Sequence, residues 1–289
     1  MSMVHPDGWG AVLVTGASRG IGRATVHALA DAGLTVYGTV RRGSDAEDLA
    51  RTTAGMVTPL LCDVTDAASV ASAAATVAER EGKRGLGGLI NNAGIARAGP
   101  LEMLPVEAWR EQFDVNVLGV VRMTRALLPL LRQGRGRIVN VSSASALVPI
   151  PFLGPYVTSK TALDRLSEIL RLELRPWGIA VVSVQPGLVD TGVAGRSLEV
   201  SQELLTEANT DVRVLYEPII VRMRRVGEER VSGGTSPERV ATVILRALTA
   251  RRPRRTYRVG CEPKLLAVLD RWLPDGLREW LTAQLLLGS

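Results

Sequence analysis

Residues 11–32, AVLVTGASRGIGRATVHALADA, constrain this chain more than any other stretch. Ala11 to Val14 is a short apolar run with strand character, and TGASRGIG follows at 15–22 without a spacer. Arg23 to Ala32 then carries a helical pattern that stops at Gly33. Strand, glycine turn and helix in that order open a βαβ unit of the dinucleotide-binding kind. The physical requirement is that backbone N–H groups and a helix N-terminus approach a pyrophosphate with no Cβ between them. Gly16, Gly20 and Gly22 supply that room, with Ser18, Arg19 and Ile21 beside them. The bland alternative is a glycine-rich turn that binds nothing.

Further apolar runs follow at strand length. Thr35 to Val40, Met56 to Leu61, Leu86 to Ile90, Arg137 to Val141 and Ile179 to Val184 complete six strands, and Tyr257 to Val259 is a candidate seventh. Helical segments separate them, including a long one from Pro105 to Gln133 and another from Gly154 to Pro176. The expected fold is α/β: a Rossmann-like, doubly wound parallel sheet of about seven strands with helices on both faces. Ligands in such sheets bind at the carboxyl ends of the strands, where the chain's polar motifs fall. No linker or repeat interrupts 289 residues, so one domain is expected.

The second informative stretch is 139–160, VNVSSASALVPIPFLGPYVTSK. Tyr156 and Lys160 are four apart and share one helix face. A free phenol, with a pKa near 10, is a poor acid-base group at neutral pH, and a nearby ammonium favours its phenolate. Ser143, thirteen residues earlier at a strand end, can return a hydroxyl to the same cleft. A Tyr-x-x-x-Lys pair alone is weak evidence. Behind Val-Ser-Ser at this spacing it is specific.

With these motifs the chain resembles the short-chain dehydrogenase/reductase family from about Gly10 to Thr191, in outline nearest its hydroxysteroid and retinol dehydrogenase branch. The resemblance implies reversible hydride transfer between a nicotinamide and a carbonyl or secondary alcohol. Tyr156 would be the proton donor or acceptor, Lys160 its tuner, Ser143 the partner of the substrate oxygen and Asn116 the holder of a water that links the lysine to solvent. From its sequence context alone, Asn116 caps or kinks the helix. The family pattern also assigns cofactor contacts to Asp63 and Val64 after the third strand, to Asn91, Ala93 and Gly94 in the NNAG turn, and to Pro186, Gly187, Val189 and Thr191. Asp63 reads equally well as a turn or helix-cap aspartate.

Cofactor choice turns on the end of the second strand, where a carboxylate would accept from the ribose 2′-OH of NAD. Val40 stands there, followed by Arg41 and Arg42, with Arg19 in the glycine turn. Guanidinium groups suit a 2′-phosphate, so NADP(H) is expected over NAD(H).

Composition narrows the alternatives. A net charge of +6 and pI near 9.9 come from 35 basic residues spread through the elements, which favours a solvated arginine-rich surface over a nucleic-acid partner. Cys62 and Cys261 lie far apart, and His5 and His27 are the only histidines, so neither a disulfide framework nor a metal site is expected. The start, MSMVHPDGWG, lacks signal-peptide regions and no window is apolar enough to span a membrane. A cytoplasmic protein follows, forming a homodimer or homotetramer through outer helices as family members do.

Residues 192–235 read as a lid of two amphipathic helices whose apolar face suggests a steroid-, retinoid- or lipid-like substrate. The same face could merely pack on the sheet. Residues 263–289 read as two short helices split at Pro274, docking on the body or a partner, with peripheral membrane contact left open. The rival functions are a non-catalytic NADP(H)-binding regulator, a nucleotide-sugar epimerase or dehydratase of the extended branch, and a membrane-associated lipid enzyme.

Overall fold

The computed structural model describes residues 10–189, 204, 206, 209–231, 234–260, 263, 266, 268 and 272–286. Its strands are β1 (Ala11–Val14), β2 (Val36–Val40), β3 (Val57–Leu61), β4 (Leu86–Asn91), β5 (Arg137–Val141), β6 (Ala180–Pro186) and β7 (Thr256–Val259). They form one parallel sheet in the order β3-β2-β1-β4-β5-β6-β7. The order reverses between β1 and β4, which opens a crevice at the strand ends there. The helices are α1 (Gly20–Asp31), α2 (Gly43–Thr52), α3 (Ala67–Glu81), α4 (Val106–Phe113), α5 (Gly119–Gln133), α6 (Gly154–Glu173), α7 (Thr210–Val231), α8 (Pro237–Thr249) and α9 (Asp275–Leu286).

Period-two alternation explains the layers. Val12 and Val14 of β1 join Val26 and Leu29 of α1 and Ile244 and Leu248 of α8 in one core, while Ala11 and Leu13 join Val77 of α3 and Met123, Leu127 and Leu131 of α5 in the other. Each fully buried Val or Leu contributes about 1.5 to 3 kcal/mol, so sheet and helices stabilise one another. The expected parallel sheet and its seventh strand are both present.

The segment from Pro105 to Gln133 differs from a single α-helix. A π-turn, Asp114–Leu118, separates α4 from α5. Arg122 anchors it from α5, donating to Asp114 Oδ1 at 2.6 Å and more weakly to the carbonyls of Asp114 and Val64. Helix α6 ends at Glu173, short of the expected Pro176, which lies in a 3₁₀ turn ended by left-handed Gly178. Between 192 and 235 the described helix is α7, whereas a second lid helix would fall mainly on residues outside those described. The expected break at Pro274 is seen, with the N–H groups of Leu277 and Arg278 on its carbonyl as α9 begins.

Candidate active site

The glycine turn sits where β1 meets α1. Gly16 and Gly20 have φ of +69° and +54°. A Cβ on Gly22 would lie 2.1 Å from the Gly16 carbonyl oxygen and 2.5 Å from Asn92 Nδ2. No side chain caps α1 at Arg19, and Ser18 gives its carbonyl to Arg23. Ile21 packs against the core behind the turn.

Thr15 and Asn92 fasten this turn to the end of β4. The Thr15 hydroxyl accepts the N–H groups of Asn92 and Ala93, both at 2.9 Å, while Asn92 Nδ2 donates to the carbonyls of Thr15 and Gly16. From β2, Thr39 Oγ1 accepts the Gly16 N–H at 3.2 Å. Asn91 turns inward instead: its Nδ2 donates to Asn140 Oδ1 at 2.8 Å within the buried sheet. The cause is the pleat, which sends consecutive residues of a strand end to opposite faces.

Ser143, Tyr156 and Lys160 meet beyond β5. Ser143 caps the short 3₁₀ turn Ala144–Leu147, and its hydroxyl accepts from the backbone N–H of Ser145 at 3.2 Å and lies 2.9 Å from the Ser145 hydroxyl. Lys160 is buried, donates to the Val141 carbonyl at 2.8 Å, and places Nζ 5.8 Å from the Tyr156 ring centroid. Burial lowers the Lys160 ammonium to about 8. Burial pushes the Tyr156 phenol up, and the Ser143 hydroxyl pulls it down. The lowering expected from Lys160 is thus not the governing effect here, because the ammonium is directed at Val141.

Asn116 lies in the π-turn with its amide fully engaged. Oδ1 accepts the Ile95 N–H at 3.0 Å, and Nδ2 donates to the Ile95 carbonyl at 3.1 Å and to Ser159 Oγ at 3.1 Å. Gln112 clamps the same loop, accepting from the Arg97 N–H and donating to the Ile95 carbonyl, both at 2.7 Å. Gly94 faces this corner: a Cβ there would lie 3.3 Å from Asn116 Oδ1 and 3.8 Å from Lys160 Nζ.

The arginines at the end of β2 are exposed, but Arg42 is already bound in a double hydrogen bond to Asp45. Asp63 is held below the usual carboxylate range: burial works against this, and the Thr65 N–H and hydroxyl on Oδ1, with Arg41 beyond, outweigh it. The turn reading of Asp63 therefore holds for Oδ1, and Asp66 is the cap of α3. Val64 is buried against Gly119. Pro186 ends β6, the Gly187 N–H bonds the Val259 carbonyl, and Val189 forms a bridge with Thr235. Thr191 lies outside the described residues.

At the rim, Tyr216 of α7 packs edge-on to Phe152, 6.1 Å between centroids, and donates to Glu102 at 2.9 Å. Among the described residues no cluster could hold a metal, and no helix is long and apolar enough to cross a membrane.

A dinucleotide fits this site. Glycines stand where a Cβ would strike the turn, a helix N-terminus faces it, and Gly94 leaves space beside Lys160. Fold and site together define a doubly wound, dinucleotide-binding oxidoreductase. The chain belongs to the short-chain dehydrogenase family, whose pattern matches residues 10–201. It is 34% identical to the 3-ketodihydrosphingosine reductase of Bacteroides thetaiotaomicron, covering 93% of this chain and 95% of that protein. It is 33% identical to retinol dehydrogenase 16 of Mus musculus, over 93% and 87% of the two chains, which agrees with the retinol and hydroxysteroid branch. A short-chain dehydrogenase from Burkholderia cenocepacia, solved in complex with NADP, superposes with a TM-score of 0.72 at 28% identity over 97% and 99% of the chains.

Proposed function

We propose that this protein is an NADP(H)-dependent oxidoreductase that interconverts an apolar ketone or aldehyde and its alcohol, with a steroid-, retinoid- or long-chain lipid-like substrate. The observation that carries this is Tyr156 and Lys160 on one face of α6, with Ser143 beside them, at the mouth of the glycine-lined crevice. A sensor of NADP(H) would need the glycine turn but not this trio.

A nicotinamide held here would supply hydride to a carbonyl carbon or take it from an alcohol. In reduction, Tyr156 Oη gives its proton to the carbonyl oxygen; in oxidation it takes the alcohol proton. Burial raises the Tyr156 pKa and the Ser143 hydroxyl opposes that rise. The Ser143 hydroxyl donates to the substrate oxygen as charge develops. Lys160 would place a positive charge beside the nicotinamide ribose. Asn116 fixes the loop that walls this corner and helps complete the proton path to solvent.

The turn formed by Gly16, Ser18, Gly20, Ile21 and Gly22 would hold the pyrophosphate. Arg19, Arg41 and Arg42 would serve a 2′-phosphate, Asp63 and Val64 the adenine, Asn91, Ala93 and Gly94 the ribose, and Pro186, Gly187, Val189 and Thr191 the carboxamide. The NADP-bound Burkholderia relative and the sphingoid-ketone reductase support the cofactor and substrate class.

We also propose one cytoplasmic domain per chain, with α7 as its lid, assembled as a dimer or tetramer. Ile169 and Leu172 of α6 and Trp177 are exposed apolar groups suited to a subunit contact. The test is NADPH consumption with a panel of 3-keto sphingoid bases, steroids, retinoids and medium-chain ketones. Turnover of at least one class is expected. Failure to bind NADPH, or binding without turnover across the panel, overturns the reading.

A further inference from the structure

Nine basic residues that lie far apart in the chain come together at one end of the sheet. The strands of a parallel sheet all start on the same edge, so the connections that lead into β4, β5, β6 and β7 finish side by side. Lys83 and Arg84 precede β4, Arg132 and Arg135 precede β5, and Arg175 precedes β6. Arg251, Arg252, Arg254 and Arg255 precede β7, and all nine residues are exposed. Neighbouring connections touch. A Cβ on Gly85 would lie 2.5 Å from the Gly134 nitrogen, the Arg132 guanidinium stands 4.6 Å from the Trp177 ring centroid, and Arg171 Nη2 donates to the Arg255 carbonyl at 3.2 Å.

No carboxylate within these connections answers the charge. Residues 82–85, 132–136, 174–178 and 250–255 contain no Asp or Glu, and among the described residues none of the nine cations forms an ion pair. Glu81, beside the rim, accepts the Tyr37 hydroxyl, and Glu173 at the end of α6 is a single charge. The bland role for arginines here is to neutralise the C-termini of α5, α6 and α8, which all end at this rim. Each helix end carries about half a negative charge, so three of them account for fewer than two of the nine cations. The whole chain nets +6, so the rim alone exceeds the net charge and the rest of the chain is negative by three.

We propose that this rim docks on an anionic phospholipid surface. Dense, exposed, unpaired arginines on a broad face match a plane of lipid phosphates. A polynucleotide fits less well, because a duplex is read by a helix or ribbon laid in a groove and a single strand by a series of aromatic platforms. This rim is built of turns, and among the described residues its one exposed aromatic group is Trp177, which already carries Arg132. Ligands of this fold enter at the carboxyl ends of the strands, about 20 Å away along the six residues of β4, so docking leaves the crevice open to solvent. Docking does not depend on the proposed hydride transfer.

The test is flotation of the full-length protein with phosphatidylcholine vesicles that contain about 30% phosphatidylglycerol, against vesicles of phosphatidylcholine alone. In about 0.05 M salt, binding to the anionic vesicles only is expected, with loss at about 0.5 M as the exposed charges are screened. Each engaged cation is worth roughly a fivefold gain in partition, so Arg251→Gln, Arg252→Gln, Arg254→Gln and Arg255→Gln together should weaken binding by about 100-fold or more. Arg110→Gln, Arg125→Gln, Arg222→Gln and Arg239→Gln together remove the same charge from exposed sites elsewhere and should weaken it by less than about tenfold. A wild-type melting temperature shows that each variant folds, and if the rim quadruple does not, Arg251→Gln, Arg252→Gln should still weaken binding by about 20-fold. Absence of flotation with the anionic vesicles, equal flotation with both vesicle types, or equal losses in the rim and control variants overturns the inference. Rim-dependent binding of duplex or single-stranded DNA without vesicle binding overturns it in favour of a polynucleotide. Because flotation needs neither cofactor nor substrate, an inactive protein that still docks would count against the proposed function alone.

Discussion

Asp45 grips Arg42 along one edge of its guanidinium, with Nε at 3.0 Å and Nη2 at 2.9 Å from the two carboxylate oxygens. One of the three arginines that the sequence offers for a 2′-phosphate is thus paired, and Arg41 and Arg19 also feel the same carboxylate. Arg41→Ala should lower kcat/KM for NADPH by roughly 10- to 100-fold, the usual weight of a charge-assisted contact, and leave NADH almost unchanged. Asp45→Ala should tighten NADPH several-fold by freeing Arg42. Fluorescence titration of both cofactors against the two variants checks this, and an unchanged NADPH to NADH ratio in Arg41→Ala refutes the arginine assignment.

Tyr156→Phe removes one hydroxyl while keeping the ring near Lys160. Turnover should fall by about 100- to 10,000-fold, the range general acid-base groups contribute, with the NADPH dissociation constant within about twofold of wild type. Stopped-flow hydride transfer separates the two effects. Retained turnover would sink the proton-donor role.

Much of this was legible in sequence because it is local. The β1 turn, the pairing of Tyr156 with Lys160 and the alternation of Val12, Leu13 and Val14 each depend on neighbours within a few residues. What could not be read depends on distant partners. Asn91 and Asn92 are adjacent, yet one bonds Asn140 inside the sheet and the other pins Gly16, a choice set by strand pairing. Gln112 has its partners, Ile95 and Arg97, across the fold rather than beside it in the chain. A polar amide amid apolar helix neighbours is the signal that could have found it.

Gly22 has no room for a side chain. A Cβ there would meet the Gly16 carbonyl at 2.1 Å and, at 2.5 Å, Asn92 Nδ2, which pins the glycine turn from the end of β4. Gly22→Ala should therefore cost about 1 to 3 kcal/mol in urea unfolding and abolish measurable NADPH binding by calorimetry. Gly33→Ala meets no atom within 4 Å, so it serves as a control that leaves binding intact and loses stability only through its φ of +80°.

Asn116 and Gln112 together satisfy the backbone of Ile95 and Arg97, and both are buried. Removing either amide leaves buried partners unpaired at about 1 to 3 kcal/mol each. Because both hold one loop, the double variant Gln112→Ala, Asn116→Ala should lose less stability than the sum of the single losses. Additive losses in urea denaturation would show two independent clamps.

Lys160 also predicts how stability varies with pH. Its pKa is about 8 in the folded chain, below the ordinary lysine value of 10.5, because burial disfavours the ammonium. Between those two pH values the unfolded chain binds more protons at this site than the folded one, so the Lys160 contribution to stability rises with pH. Below pH 8 the penalty is present in full, on the order of 3 kcal/mol, and by about pH 10.5 it is relieved. Lys160→Met removes the titration and the bond to Val141 together, so its absolute stability mixes two effects. The difference between wild type and variant isolates the first: wild type should gain on Lys160→Met by up to about 3 kcal/mol as pH rises from 8 to 10.5. Urea denaturation of both proteins at four pH values across that window measures the slope, and a flat difference would mean that Lys160 titrates as it does in the unfolded chain.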